Sequence, residues 1–151
     1  MDIEIASAED MEALGARFAG VYQPGLRVYL QGDLGAGKTT LVRGFLRGLG
    51  FHGKVKSPTY SLVEPYYLEG VTVYHFDFYR LQDPDELEAI GIRDYFNGEA
   101  CCLVEWPEKT GELLEPADIG IQFSVKGAGR RLRLNAGTSR GKTILERLQI
   151  S

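Results

Sequence analysis

Cysteine and histidine are scarce in this chain. Among 151 residues there are two of each, and the cysteines are neighbours, Cys101 and Cys102. Consecutive side chains in a strand point to opposite faces, so "ACCLVEW" reads as a buried strand with two reduced thiols and no mutual disulfide. A structural zinc site needs more Cys and His than are present. No apolar run approaches the ~20 residues of a membrane span. The opening "MDIEIASAED" lacks the basic-then-apolar layout of a signal peptide, so a cytoplasmic protein with no membrane contact is expected. Repeats, low-complexity tracts and linkers are also missing. One domain, residues 1–151, is therefore expected.

The charge that is present is unevenly spread. The net charge is −4, yet residues 126–151 hold seven Lys or Arg against one Glu, and the remainder is strongly acidic. A basic end on an acidic body points to a polyanion or an acidic surface as partner, the bland alternative being a solvated hairpin and helix.

Apolar spacing gives the elements. "DIEIA" alternates like a short edge strand. Ser7 reads as the cap of a helix carrying Met11, Leu14, Phe18 and Val21. "LRVYL" is a strand, and "KTTLVRGFLRGLG" is an amphipathic helix stopped by Gly50. "VTVYHFDFYRL" and "ACCLVEWP" are strands separated by a short helix, "DPDELEAIG", with a capping box from Asp83 to Glu86. "DIGIQFSVK" and "RRLRLNAG" form an antiparallel hairpin, and "SRGKTILERLQI" closes the chain as a helix. The expected fold class is α/β: a three-layer sandwich with a central, mostly parallel sheet and added antiparallel C-terminal strands.

Two stretches share a phosphate-loop outline: "GDLGAGKT" (Gly32 to Thr39) and "AGTSRGKT" (Ala136 to Thr143). Such a loop works only between a strand and a helix, where loop N–H groups and the helix N-terminus converge on phosphates. The first has that context. Asp33, Gly35, Ala36, Gly37, Lys38, Thr39 and Thr40 are its candidate nucleotide contacts. Lys38 would reach the β- and γ-phosphates, and the Thr39 hydroxyl would ligate Mg²⁺. The second match starts with Ala, follows an alternating Arg/Leu strand and leaves only eight residues after Thr143. It reads as the turn into the last helix.

A phosphate loop also needs an acidic partner at a strand end. Asp77 ends "VYHFD" and Glu105 ends "CLVE". One would support the metal and the other orient water, and the sequence leaves the assignment open. Thr59 or Ser57 in "KSPTYS" would contact Mg²⁺ from a mobile segment, the competing reading being a Ser-Pro turn. Trp106 would pack over the nucleotide or form an interface. His75 reads as structural, since a lone His carries no ligand set. Without an Asn-Lys-x-Asp guanine reader, ATP is expected. A small-molecule kinase is the alternative, although only Arg80 and Arg93 would supply a lid between Gly50 and Glu115.

Taken in order, "GDLGAGKTT", "SPTYSLVEPY", "HFDFYRL", "DPDELEAIG" and "LVEWPEK" resemble the bacterial ATPase family (TsaE, also YjeE) that supports threonylcarbamoyladenosine formation on tRNA. The resemblance covers roughly residues 25–110. It implies a P-loop fold and Mg²⁺-dependent ATP/ADP chemistry, slow in the isolated protein. It also implies partners, the threonylcarbamoyl transferase and its inactive paralogue, reset between rounds by hydrolysis. The family's Mg²⁺ and catalytic positions would fall on Thr39, Thr59, Asp77 and Glu105, beside the catalytic Lys38 of the loop, and its functional tryptophan on Trp106. In that setting the basic C-terminal segment is expected to meet tRNA or an acidic partner surface.

Overall fold

The computed structural model describes residues 1–58 and 60–150. The candidate Thr59 lies outside the described residues. The elements are β1 (Asp2–Ile5), α1 (Ala8–Ala19), β2 (Arg27–Gln31), α2 (Lys38–Gly48), β3 (Val63–Leu68), β4 (Val71–Asp77), α3 (Asp85–Ala89), α4 (Ile92–Tyr95), β5 (Cys101–Glu105), a 3₁₀ turn (Pro107–Thr110), β6 (Ile119–Lys126), β7 (Gly129–Ala136) and α5 (Ser139–Ile150).

One seven-stranded sheet runs in the order β1-β7-β6-β2-β5-β4-β3. The central four strands, β6, β2, β5 and β4, are mutually parallel. β3 and β7 run against their neighbours, and β1 closes the far edge antiparallel to β7. The antiparallel hairpin expected at the C-terminal end is therefore present. Its turn is tighter than "GAG" suggests, because Gly129 already pairs with Lys126 in the ladder. Pro65 sits in the edge strand β3, where a missing N–H is tolerated.

Helices cover both faces. Met11, Leu14 and Phe18 of α1, Leu41, Phe45 and Leu46 of α2, and Ile144 and Leu148 of α5 pack on Val28, Leu30, Leu103 and Ile121. On the opposite face, Leu87 of α3 and Ile92 of α4 pack on Phe76, Cys102 and Val104. Cys101 and Cys102 are both buried and belong to opposite cores, as strand alternation requires. The α3 start uses its expected acidic residues: Glu86 accepts from Asp83 N, and Asp83 accepts from Asp85 N at 2.9 Å.

The α1–α2 contact fixes the position of α2. Gly15 and Gly44 let the two backbones touch. A Cβ on Gly44 would lie 2.1 Å from Glu12 O, and one on Gly15 would lie 2.3 Å from Leu41 O. The N-terminus of α2 is thus held rigidly at the carboxyl end of β2, beside the carboxyl ends of β4 and β5.

Candidate functional site

The segment Gly32–Gly37 connects β2 to α2. Gly35 and Gly37 have φ of +79° and +102°, conformations that an L side chain rarely adopts. The first turn of α2 has no side-chain cap and no acidic residue. Its N–H groups, which have no partner within the helix, are therefore open to an anion. Thr39 and Thr40 lie in that first turn, Ala36 is buried beneath it, and Asp33 accepts from Ala36 N to close the loop at 3.1 Å.

The two acidic candidates come together. β4 and β5 are parallel neighbours, and their register sets Asp77 directly beside Glu105. Both carboxylates are buried. Thr39 Oγ1 donates to Glu105 Oε2 at 2.9 Å. Ser57 Oγ donates to Asp77 Oδ2 at 2.8 Å, and the Tyr79 N–H donates to Asp77 Oδ1 at 3.0 Å. Leu34, Lys38, Thr39, Ser57, Asp77, Glu105 and Trp106 line one cleft. Two residues from "KSPTYS" were candidates for this place, and the structure brings Ser57 to it.

Lys38 is buried to 4% exposure. Its Nζ donates to the Gly32 carbonyl and stands 3.9 Å from the centroid of the Trp106 ring. Burial lowers the pKa of this ammonium below its ordinary value, while the carboxylates of Glu105, Asp77, Glu108 and Asp33 act in the opposite direction. Trp106 itself has φ of +58°, an unusual conformation for a bulky residue. Its N–H donates to Leu30 O at 3.2 Å, and its ring meets Tyr79 at 5.1 Å. Backbone strain of this kind, on the order of 1–3 kcal/mol, gathers at functional sites.

Sequence reasoning took His75 as structural and did not foresee its contact with Glu105. The side chain is fully buried, and its Nε2 lies 2.6 Å from Glu105 Oε2. The contact joins adjacent strands and has no local sequence signal. Its one available hint was that His75 shares a strand face with Asp77.

The second Gly-Lys-Thr stretch is a packing device. A Cβ on Gly141 would lie 1.8 Å from Asp118 O, and one on Gly137 would lie 2.2 Å from Ala117 O. Neither glycine has a positive φ. Buried Asp118 accepts from Thr138 Oγ1 at 2.7 Å and from Arg27 N at 2.9 Å, and it pairs with Arg140 at 3.2 Å. Much of the basic end is engaged internally as well. Lys126 and Arg131 pair with Glu4, Arg133 pairs with Asp2, and Arg130 donates to the carbonyl of Gly35 at 3.1 Å.

The donor set suits Mg²⁺. Among the described residues no group of three or more His, Cys, Asp and Glu forms a metal cage. The cleft offers the oxygens of Thr39, Ser57, Asp77 and Glu105 instead. Mg²⁺ is commonly bound by one or two carboxylates plus substrate phosphates, so an incomplete protein shell of hard oxygens fits it. A second groove adjoins the loop on its other side, lined by Ser7, Met11, Ala36, Thr40, Gly129 and Arg130 among others.

Comparison with known proteins agrees with this architecture. The family model described as "Threonylcarbamoyl adenosine biosynthesis protein TsaE" matches residues 5–134. A Haemophilus influenzae protein named tRNA threonylcarbamoyladenosine biosynthesis protein TsaE is 50% identical over 140 residues, covering 89% of each chain. The Bacillus subtilis protein of the same name is 37% identical over 143 residues, covering 93% of this chain and 88% of its own. The crystal structure of Bacillus subtilis YdiB superposes with a TM-score of 0.85 at 29% identity, covering 99% of this chain and 94% of that one. A family match over most of the length, together with the loop and strand-end acids that carried the resemblance, places this chain in the TsaE family.

Proposed function

We propose that this protein is a Mg²⁺-dependent ATPase that serves threonylcarbamoyladenosine modification of tRNA in the cytoplasm. One observation carries the reading. The P-loop Thr39 and the strand-end acids Asp77 and Glu105 meet in one cleft, with Thr39 bonded to Glu105 at 2.9 Å. A chance glycine turn would not align with carboxylates from two parallel strands.

The residues divide the work as follows. N–H groups of the loop and of the α2 N-terminus hold the phosphates, and Lys38 leaves Gly32 O and the Trp106 face to join them. Base and ribose take the adjoining groove between Ser7, Thr40 and Arg130. Glu105, bonded to the residue expected at the cation, supports Mg²⁺ together with Thr39. When bound, the cation neutralises charge on the β- and γ-phosphates. Asp77 is the carboxylate left to orient the attacking water. Its bond to Ser57 ties that task to the segment following α2.

No arginine lines the cleft around Lys38 among the described residues. Arg130 reaches the loop, but its guanidinium is engaged with the carbonyls of Gly35 and Gly129. Among the described residues no free arginine finger meets the developing charge, so turnover alone should be slow. Leu34 is 65% exposed at the rim of the cleft, and Tyr79, against Trp106, is 40% exposed. Both fit a docking partner that excludes water and completes the site. The transferase and its inactive paralogue fill that role in this reading, with hydrolysis resetting the assembly. Arg80 stacks on Tyr60 and Arg93 pairs with Glu88, so a kinase lid gains no support.

The test is ATP turnover with and without the transferase–paralogue pair, for wild type, Asp77→Ala and Glu105→Ala. The expected result is slow turnover alone, acceleration with partners and near loss in both variants. Turnover within a few-fold of wild type in both variants sinks the reading.

A further inference from the structure

We infer that His75 is a positioning residue for Glu105, holding the carboxylate at the angle from which it supports the cation; the inference rests on the ATPase reading above. His75 is 0% exposed. Among the described residues its Nδ1 has no hydrogen-bond partner, while Nε2 lies 2.6 Å from Glu105 Oε2. A buried polar ring that leaves one nitrogen unpaired carries a cost. A leucine of similar size would avoid that cost, so the imidazole is not explained by packing alone.

The geometry gives the reason. An ionised carboxylate only accepts hydrogen bonds, so Nε2 donates to it. Both hydrogen bonds to the Glu105 carboxylate, from His75 and from Thr39, end on Oε2. Oε1 accepts none among the described residues. Glu105 lines the cleft, and with Oε2 clamped, Oε1 is the oxygen left for a cation. Strand register reinforces the clamp: His75 lies opposite Leu103, two residues before Glu105 on the adjacent parallel strand. Thr39 can keep donating its proton to Glu105 while its lone pairs face a cation. His75, Glu105 and Thr39 thus form one chain of contacts leading from the sheet interior to the metal position. Partners of this kind, behind a ligand, typically change metal affinity by about 10- to 100-fold.

The experiment compares wild type, His75→Leu and His75→Gln as full chains. Each is titrated with a fluorescent ADP analogue, once with Mg²⁺ and once in EDTA, and each is melted. The glutamine amide nitrogen reaches the place of Nε2, whereas leucine keeps the volume without a donor. The expected result is a loss of about tenfold or more in the Mg²⁺-dependent affinity of His75→Leu. Its affinity in EDTA is unchanged, and His75→Gln recovers most of the loss. If His75→Leu does not fold, His75→Asn replaces it, because its amide nitrogen falls at Nδ1, away from Glu105. Equal losses in Mg²⁺ and EDTA, or no loss in either, overturn the inference and leave the ATPase reading standing. A wild type whose nucleotide affinity ignores Mg²⁺ overturns both.

Discussion

Replacing Lys38 by Met separates what this residue does for the ligand from what it does for the fold. The methionine keeps most of the buried stem and removes the charge. In the free protein the Lys38 ammonium meets the Gly32 carbonyl and the Trp106 face. Phosphate must draw the ammonium away from both. A hydrogen bond to a charged group contributes about 1.5–3 kcal/mol net. Losing one such bond weakens ATP binding by about ten- to a hundredfold. A cation–π contact of about 0.5–2 kcal/mol is relinquished on binding, which keeps the expected loss toward the lower end. Stability should move the other way. Burial lowers the Lys38 pKa, so the fold holds this charge at a cost. A group whose folded pKa is lowered binds protons more weakly when folded, and its charge opposes folding wherever it is protonated. Lys38→Met should therefore keep or raise the melting temperature. The assays are titration with a fluorescent ATP analogue and thermal melting. ATP affinity within twofold of wild type refutes the assignment of Lys38 to phosphate. A clear fall in Tm alongside lost binding refutes the separation of roles.

Burial pushes the thiol of Cys101 up to about 11 and that of Cys102 up to about 12, and both side chains are fully buried. The native protein should therefore resist a thiol reagent at pH 8 and release two equivalents only when unfolded; rapid native labelling would contradict the sheet placement. Arg140→Ala leaves buried Asp118 short of a partner and should cost about 1–3 kcal/mol. That corresponds to a fall of roughly 2–12 °C in Tm for a chain of this size; an unchanged melt would count against the contact. Lys142→Ala should leave Tm and ATP affinity as they are, since that side chain lies outside the nucleotide cleft and its adjoining groove. If the basic end meets tRNA, Lys142→Ala combined with Arg147→Ala weakens that binding less at high salt than at low; equal tRNA affinity in wild type and variant removes tRNA from the list of partners.

The sequence made local order legible and left long-range meetings hidden. Helices α1 and α2 followed from apolar spacing and from the start and stop residues Ser7 and Gly50, because those signals lie within a few residues of one another. Ser7 caps α1 by accepting from Asp10 N, three residues on. The pairing of β1 with β7 joins Asp2 to Arg133, and no local pattern specifies it. The same holds for Arg130 reaching the loop at Gly35 and for Thr39 reaching Glu105. Asp77 and Glu105 were readable because strand ends in such folds face the ligand crevice. His75 was not, because its meaning depends on which strand stands beside β4.

The two Gly-Lys-Thr stretches show the difference most sharply, and they yield a last prediction. The same letters meet different constraints. In the first, Gly35 and Gly37 are required by positive φ. In the second, Gly141 lies in the first turn of α5 with ordinary helical backbone and is required by space, since a Cβ would stand 1.8 Å from the Asp118 carbonyl. That neighbour is backbone and is itself fixed, because the same Asp118 carbonyl accepts from Gly137 N at 2.8 Å. Alanine in a helix gains roughly 0.5–1 kcal/mol over glycine. Overpacking against a fixed neighbour typically costs 1–3 kcal/mol. Overpacking wins, so Gly141→Ala should lower Tm by several degrees at about 2–4 °C per kcal/mol. Its nucleotide affinity, measured below the melt, should match wild type, because the strain falls between α5 and the start of β6, away from Lys38. A stabilised Gly141→Ala protein would show that helix propensity decides at this position and that the close approach has been misjudged. Lost nucleotide binding with an unchanged melt would mean that the second stretch, and not the first, touches phosphate.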